Sequence, residues 1–381
     1  MIPASFEDFH ALARRRLPRA LYEFIAGGSF EEVTLAANRR DFLALKLRPR
    51  VLRDVSAIDT RVTILGHEAS FPVALAPIGL GGIAARRGEV QAVRAATAFG
   101  VPFCLSTVGL CSIEEVRAAT NAPFWFQLYM TRDKGYAQEL LRRAQAASCS
   151  ALLLTVDLPV RGIRYRDVRH GVHGGLSLGE RVARAAGYLR HPGWLFNVGL
   201  RGGPLAFGNF TALLGKRYSL TEFAAWSAGQ FTSSLTWRDL DWLRQHWQGP
   251  IVLKGVLDVE DARAAVSAGV QGLVVSNHGG RQLDSAPSTI SVLPRIAEAV
   301  GDRLELLLDG GVRNGQDVVK ALALGARAAM VGRAWVWALA ARGEQGVKGM
   351  LSSLRRDLEA TLALTGVTRA TDLTPDVLHR D

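Results

Sequence analysis

Eight short apolar runs recur along this chain, and their spacing limits the fold more than any other feature. They are PVALAP (72–77), PFCLS (102–106), FWFQLY (124–129), ALLLTVD (151–157), PIVLKG (250–255), GLVVSN (272–277), LELLLDGG (304–311) and AAMVGR (328–333). Between most of them lies a stretch of helical period, such as GEVQAVRAATAFG (88–100), DVEDARAAVSAG (258–269) and GQDVVKALALGA (315–326). The last two close on glycine, as helix C-termini do. The runs are apolar at every position rather than at alternate ones, which marks strands buried on both faces. Strand and helix in alternation predict an α/β fold with a parallel sheet covered by helices, and eight such strands predict a closed (β/α)8 TIM barrel. The runs end at Ala76, Ser106, Gln127, Thr155, Lys254, Ser276, Asp309 and Gly332, which lie 30, 21, 28, 99, 22, 33 and 23 residues apart. Six of those seven steps suit one strand–helix unit; the fourth leaves room for an insertion of about 70 residues. The expectation is one domain over 1–381, with a barrel core at about 72–342 and an insertion at about 160–235. The first 70 residues are expected to form a helical N-terminal cap with a small hairpin.

The composition, 48% apolar and 21% charged, is that of an ordinary globular protein. No apolar run reaches the roughly 18 residues of a membrane span. The N-terminus has early acidic residues and no apolar core, so it does not read as a signal peptide. The net charge of +11 is concentrated: residues 161 to 217 carry ten Lys and Arg, among them Lys216 and Arg217, against Asp167 and Glu180. Within that segment LRHPGWLFNVGL (189–200) mixes arginine with Trp194, Leu195 and Phe196. Aromatic and aliphatic groups beside cations suit an anionic bilayer surface better than nucleic acid. The three cysteines, Cys104, Cys111 and Cys149, are odd in number and fit no metal spacing. They read as reduced, buried thiols of a cytoplasmic protein, with no metal site.

Sites on such barrels lie at the C-terminal ends of the strands. Polar residues gather there: Ser106, Gln127 with Tyr129, Thr155 with Asp157, Lys254, Ser276 with His278 and Arg281, Asp309 and Arg333. LLLDGGVRNG (306–315) and MVGRA (330–334), after the seventh and eighth runs, suit a phosphate: Gly310, Gly311 and Gly332 admit backbone N–H groups, and Arg313 and Arg333 add charge. His278 is a base suited to neutral pH, Asp157 a carboxylate able to orient it, and Arg281 a reader of carboxylates. Together they suggest proton removal from a small carboxylic acid beside a phosphorylated cofactor. Lys254 leaves three uses open: a Schiff base, a structural ion pair, or a cation beside developing negative charge. GLGGIA (79–84) matches a dinucleotide pattern, but the next strand ends in Cys104, Leu105 and Ser106 without the acidic residue that pattern needs.

SNHGGRQLD (276–284), with LPRALYEFIAGGS (17–29), WFQLY (125–129), LTVDLPVRGIRYRD (154–167), VLKGV (252–256) and LLDGGVRNGQDVVKALALGA (307–326), resembles the FMN-dependent α-hydroxy-acid oxidising family. LAPIGLGGIAARRGEVQA (75–92), LSTVGLCSIEEV (105–116), HPGWLFNVGL (191–200) and GNFTALLGK (208–216) are most similar to its bacterial membrane-associated L-lactate dehydrogenase subgroup. The resemblance covers almost the whole chain. It implies His278 as the base, Asp157 as its stabilising partner, and Arg281 and Arg164 on the substrate carboxylate. It implies Tyr129 on the substrate hydroxyl or carboxylate and Lys254 at the N1/O2 edge of FMN. It further implies Ala76, Pro77, Ser106, Gln127, Thr155 and Ser276 along the flavin, Asp309 on the ribityl chain, and Gly310, Gly311, Arg313, Gly332 and Arg333 at its phosphate end.

The resemblance implies as partners a small 2-hydroxy acid, quinone or another electron acceptor, an anionic membrane surface and a homo-oligomer, such as a tetramer. It implies a place at the cytoplasmic side of the inner membrane, or in the cytoplasm. Two positions depart from the family pattern. Phe24 stands where the family has a tyrosine that helps hold the carboxylate, and Tyr22 is expected to point elsewhere. Val108 stands where glycolate oxidases have tryptophan. The alternatives are an oxidase using oxygen, an (S)-mandelate-type dehydrogenase, a colourless barrel lyase with a Lys254 Schiff base, and a membrane-bound binding protein without activity.

Overall fold

The computed structural model describes residues 2–171, 177–202, 205–214, 229–230 and 232–379. Three helices, Phe6–Arg16, Arg19–Ala26 and Val33–Ala44, come first. A hairpin of β1 (Val62–Ile64) and β2 (His67–Ala69) follows. The barrel strands are β3 (Val73–Leu75), β4 (Cys104–Ser106), β5 (Phe124–Leu128), β6 (Cys149–Thr155), β7 (Ile251–Val256), β8 (Gly272–Val275), β9 (Glu305–Leu308) and β10 (Ala328–Val331). Six fall within one of the eight apolar runs; β6 begins two residues before its run and β7 ends one residue after its own.

All of the barrel ladders are parallel, in the order β3-β10-β9-β8-β7-β6-β5-β4. The two ends of that order meet at a bridge between Leu75 and Phe103, where the Leu75 amide donates to the Pro102 carbonyl at 2.8 Å. The barrel is therefore closed through one narrow seam. Its strands are buried along almost their whole length, as expected of a sheet packed on both faces. The hairpin covers the N-terminal mouth, where Glu305 at the start of β9 accepts from the Leu65 amide at 2.7 Å. The C-terminal mouth is left for the site.

The helices start where the sequence provides caps. Asp258 accepts from Glu260 N before Val259–Ser267, and Asn314 forms a capping box with Asp317 before Gly315–Ala323. The long helix Arg333–Thr365 breaks at Arg342–Gly343, next to the expected end of the barrel core.

The insertion lies between β6 and β7 and includes the helices Tyr165–Arg169, Leu178–Leu189 and Gly208–Leu214. It is anchored by Asn209, whose Oδ1 accepts from Ile113 N at 2.9 Å and whose Nδ2 donates to the Thr107 carbonyl at 3.2 Å. Lys216 and Arg217, counted in the basic segment, lie outside the described residues.

One expectation for this segment is overturned. Trp194 does not face outward with Phe196: its Nε1 donates to the Ile83 carbonyl at 2.8 Å and its ring stacks on Tyr188, so the indole is spent on the barrel. Besides Phe196 and Leu200, the outward apolar groups include Leu178, Val182 and Leu189, 78%, 63% and 69% exposed, one stripe along a single helix. Cys104, Cys111 and Cys149 are free and buried, and burial raises each thiol's pKa. No helix among the described residues is long and apolar enough to cross a membrane.

Candidate active site

A cavity of about 850 Å³ opens at the C-terminal ends of the strands, roofed by the helices Arg19–Ala26 and Val33–Ala44. Its floor carries a relay of hydroxyl and amide groups. Ser106 Oγ donates to Gln127 Oε1 at 2.9 Å, and Gln127 Nε2 donates to Thr155 Oγ1 at 2.9 Å. This fixes which face of the Gln127 amide points where. Gln127 and Thr155 line the cavity; Ser106 supports them from behind.

Lys254, at the end of β7, is only 4% exposed. Its Nζ lies 2.8 Å from Asp309 Oδ2 and donates to Ser276 Oγ at 2.9 Å. Burial pulls its pKa down, but the charges of Asp309 and Asp157 outweigh that, and the ammonium is held above its ordinary range. Asp309 Oδ1 is buried and has no hydrogen-bond partner among the described residues.

His278 follows β8 with a left-handed backbone, φ 58°. Its amide donates to Ser276 Oγ at 3.1 Å, which aims the ring toward β6. There Nδ1 meets Asp157 Oδ1 and Oδ2 at 3.1 and 3.2 Å, while Nε2 lies 3.4 Å from the Tyr129 hydroxyl. Asp157 fits because its neighbour on β7 is Gly255, where a Cβ would stand 2.6 Å from the Asp157 carboxyl carbon. Burial raises the Asp157 pKa, but the His278 charge and hydrogen bond lower it more, so the carboxyl stays below its usual range. Burial and the nearby Asp157 charge push the Tyr129 phenol up to about 12, so it remains a hydroxyl donor at neutral pH.

Arg281 and Arg164 flank Phe24, with guanidinium carbons 5.2 and 6.0 Å from its ring centroid. Arg281 Nη1 donates to the Phe24 and Gly27 carbonyls, each at 2.8 Å. Arg333 donates to the carbonyls of Ile25, Gly279 and Gly27, each at 2.9 Å. These bonds tie the roof to the barrel. Tyr22 lines the same cavity, against expectation; its hydroxyl meets His10 Nε2 at 2.8 Å and is thereby occupied. At the far end Gly310, Gly311, Gly332 and Arg313 line the cavity, and Arg313 is held by Glu7 at 2.8 Å. The helix Arg333–Thr365 begins here at Gly332 without a side-chain cap, leaving its N-terminal amides to a ligand.

The sequence did not announce several residues that hold this arrangement. Asn277 and Asn38 form a reciprocal amide pair at 2.7 and 2.8 Å. Asp284 accepts from the amides of Glu31, Val33 and Thr34 and so caps the roof helix Val33–Ala44. Gln282 Nε2 donates to the Asp157 and Val160 carbonyls. Their partners lie 120 residues or more away in the chain, which no local pattern reveals.

The FMN-dependent dehydrogenase family matches residues 13–380 of this chain. The chain belongs to that family. It is 52% identical over 380 residues to the L-lactate dehydrogenase of Caulobacter sp. (strain K31), which covers 100% of this chain and 99% of that one. To the L-lactate dehydrogenase of Acinetobacter baumannii (strain AYE) it is 48% identical over 378 residues, 99% of this chain and 98% of the other. Among solved structures, the monotopic membrane protein (S)-mandelate dehydrogenase superposes with a TM-score of 0.93 at 36% identity, with both chains covered in full. A mandelate oxidase superposes with a TM-score of 0.82 at 39% identity, over 97% of this chain and 96% of that one.

The chain is thus an FMN-dependent oxidoreductase, and its cavity fits FMN. The volume suits a ligand of that size. The buried Lys254 ammonium, the unpartnered Asp309 oxygen and the uncapped helix end match a flavin edge, a ribityl hydroxyl and a phosphate in their hydrogen-bonding sense. A Cβ at Gly311 (φ 100°) would clash with the Asn38 carbonyl, so the backbone there has to remain bare.

Asp157→Asn should lower the rate of substrate oxidation about tenfold to a hundredfold, the loss of one charged hydrogen bond of roughly 1.5–3 kcal/mol. The folded-state pKa of Asp157 is depressed, so its stabilisation is present above the unfolded value of 3.8 and is lost as pH falls through the folded value. Urea unfolding of both proteins should show a stability gap at neutral pH that closes below 3.8. A gap that stays constant into acid would contradict the pairing.

Proposed function

We propose that this protein oxidises L-lactate to pyruvate and passes the electrons to a quinone at a membrane surface. The observation that carries the reading is one cavity wall on which His278, backed by Asp157, faces Tyr129, with Arg164 and Arg281 beside Phe24. Arg164 and Arg281 hold the substrate carboxylate, and Tyr129 donates to its hydroxyl or carboxylate. His278 Nε2 takes a proton from the carbinol centre, and Asp157 stabilises the imidazolium that results. FMN supplies the two-electron acceptor when bound. Lys254 would hold a fixed positive charge at the edge of a bound flavin ring, a preorganised donor worth roughly 3 kcal/mol. Ala76, Pro77, Gln127 and Thr155 would line the ring, and Asp309, with Gly310, Gly311, Arg313, Gly332 and Arg333, would hold the ribityl phosphate arm. The lyase reading loses its support, because Lys254 is a raised, ion-paired ammonium and a Schiff base needs a neutral amine.

Phe24 favours a second reading, an aryl acid such as (S)-mandelate. An apolar ring stands between the two arginines where a phenol would add a donor. Phe24→Tyr should lower the KM for L-lactate by about fivefold or more, one added hydrogen bond of roughly 1 kcal/mol or better. If KM for L-lactate is unchanged while that for (S)-mandelate moves, the aryl acid is the substrate.

The membrane part rests on the helix Leu178–Leu189, whose exposed stripe of Leu178, Val182 and Leu189 lies beside Arg181, Arg184 and Arg190. Such a helix lies in an interface with its apolar face down and its cations at anionic headgroups. Replacing the three stripe residues by serine should release the protein from vesicles containing anionic lipid, and raised salt should weaken binding of the parent. Equal sedimentation of parent and variant would remove this helix from the account.

A further inference from the structure

Three guanidinium groups converge on one wall of the cavity. Arg164 and Arg281 share the Phe24 ring, and Arg281 and Arg333 both donate to the Gly27 carbonyl, at 2.8 and 2.9 Å. The partners of Arg281 and Arg333 among these bonds are neutral carbonyls, which satisfy N–H groups without cancelling charge. Burial, and then the charges of Arg164 and Arg333, depress the Arg281 guanidinium well below its ordinary value. Arg333, depressed chiefly by burial, falls to about 10. Like charges this close and this dry need a compensating anion.

The carboxylates around the cavity are mostly committed elsewhere. Asp157 serves His278, Asp309 serves Lys254, and Glu23 and Glu32 both bond Arg166. Asp167 stands against the arginines themselves. It is 1% exposed, it stands three residues after Arg164 on the helix Tyr165–Arg169, and its Oδ2 lies 3.6 Å from Arg164 Nη1. It does not line the cavity, so it sits behind the arginines and never meets the ligand. Its charge acts favourably on Arg281 as well as on Arg164.

We propose that Asp167 is a positioning residue that holds the Arg164–Arg281 pair in place and competes with the substrate carboxylate for it, thereby setting how tightly substrate and product are held. The proposal rests on the reading of Arg164 and Arg281 as the carboxylate site. Its logic is electrostatic. Without Asp167 the arginines would attract any carboxylate more strongly, the keto-acid product included, and release would suffer. With it, the wall carries less net positive charge and the carboxylate binds reversibly.

Asp167→Asn keeps the shape and removes the charge. On the holoenzyme, the dissociation constants of acetate and oxamate are read from the perturbation of the flavin spectrum. They should fall about tenfold, the effect of one neighbouring charge worth a pKa unit. Pyruvate inhibition should strengthen by a similar factor. The ligand-free Tm should fall, and oxamate should raise it by more than it raises that of the parent. Asp167→Glu, which keeps the charge, should bind oxamate like the parent.

A residue with a merely structural role would give unchanged or weaker oxamate binding in the Asn variant, and that result overturns the proposal. If Asp167→Asn alone yields no soluble protein, removing the cation as well (Arg164→Met with Asp167→Asn) should restore it; failure to do so also overturns the proposal. Arg281→Met tests the underlying reading separately. If that variant binds oxamate as the parent does, the carboxylate site itself is misassigned, whatever Asp167 does.

Discussion

A permanent positive charge inside an apolar barrel is the constraint on which the rest of this structure turns. An isolated ammonium at 4% exposure would cost several kcal/mol. Lys254 tolerates that position because Asp309, at the end of β9, supplies a carboxylate at 2.8 Å and Ser276, just after β8, a hydroxyl at 2.9 Å. Three successive strand ends are thereby locked to one another. Ser276 also accepts the His278 amide, so the same hydroxyl that receives the cation aims the His278 ring. Asp157, which raises Lys254 electrostatically, is the carboxylate that orients His278. Charge burial, strand register and placement of His278 are one linked arrangement rather than three.

The segment SNHGGRQLD serves that arrangement and the roof above it. His278 and Arg281 line the cavity, and Ser276 sits behind them, bonded to Lys254 and the His278 amide. Asn277, Gln282 and Asp284 instead fasten distant pieces: Asn38, the loop after β6, and the start of the helix Val33–Ala44. Arg281 belongs to both groups, since its donors also hold the Phe24 and Gly27 carbonyls. A strand that ends in so many polar residues joins the barrel to its own lid.

Much of this was legible in the sequence, for a physical reason. Parallel strands buried on both faces have to be apolar at every position, so PVALAP, GLVVSN and their counterparts could scarcely be anything else. Polar residues that close such runs have one place to go, the C-terminal mouth, which is why Lys254, His278, Asp309 and Arg281 could be grouped in advance. Residue chemistry suggested His278 as a base and Arg281 as a reader of carboxylates, while the places of Lys254 and Asp309 against FMN came from the family resemblance. What stayed hidden was pairing across long separations, such as Asn38 with Asn277, and the depth of individual side chains. Trp194 looked like a surface aromatic because composition cannot say which way an indole points, and it bonds Ile83 instead. Asp167 entered only as one of two acids in a basic segment, yet it is buried beside Arg164.

The most direct test of the account is anaerobic bleaching of the bound flavin. The purified yellow protein is mixed without oxygen with L-lactate, and in parallel with D-lactate, glycolate and (S)-mandelate; a quinone analogue or air is then admitted. The account predicts rapid bleaching by L-lactate but not D-lactate, loss of that bleaching in His278→Gln, and recovery of colour with the quinone well before air restores it. A flavin that L-lactate leaves yellow, or a purified protein that neither carries nor binds FMN, would contradict it.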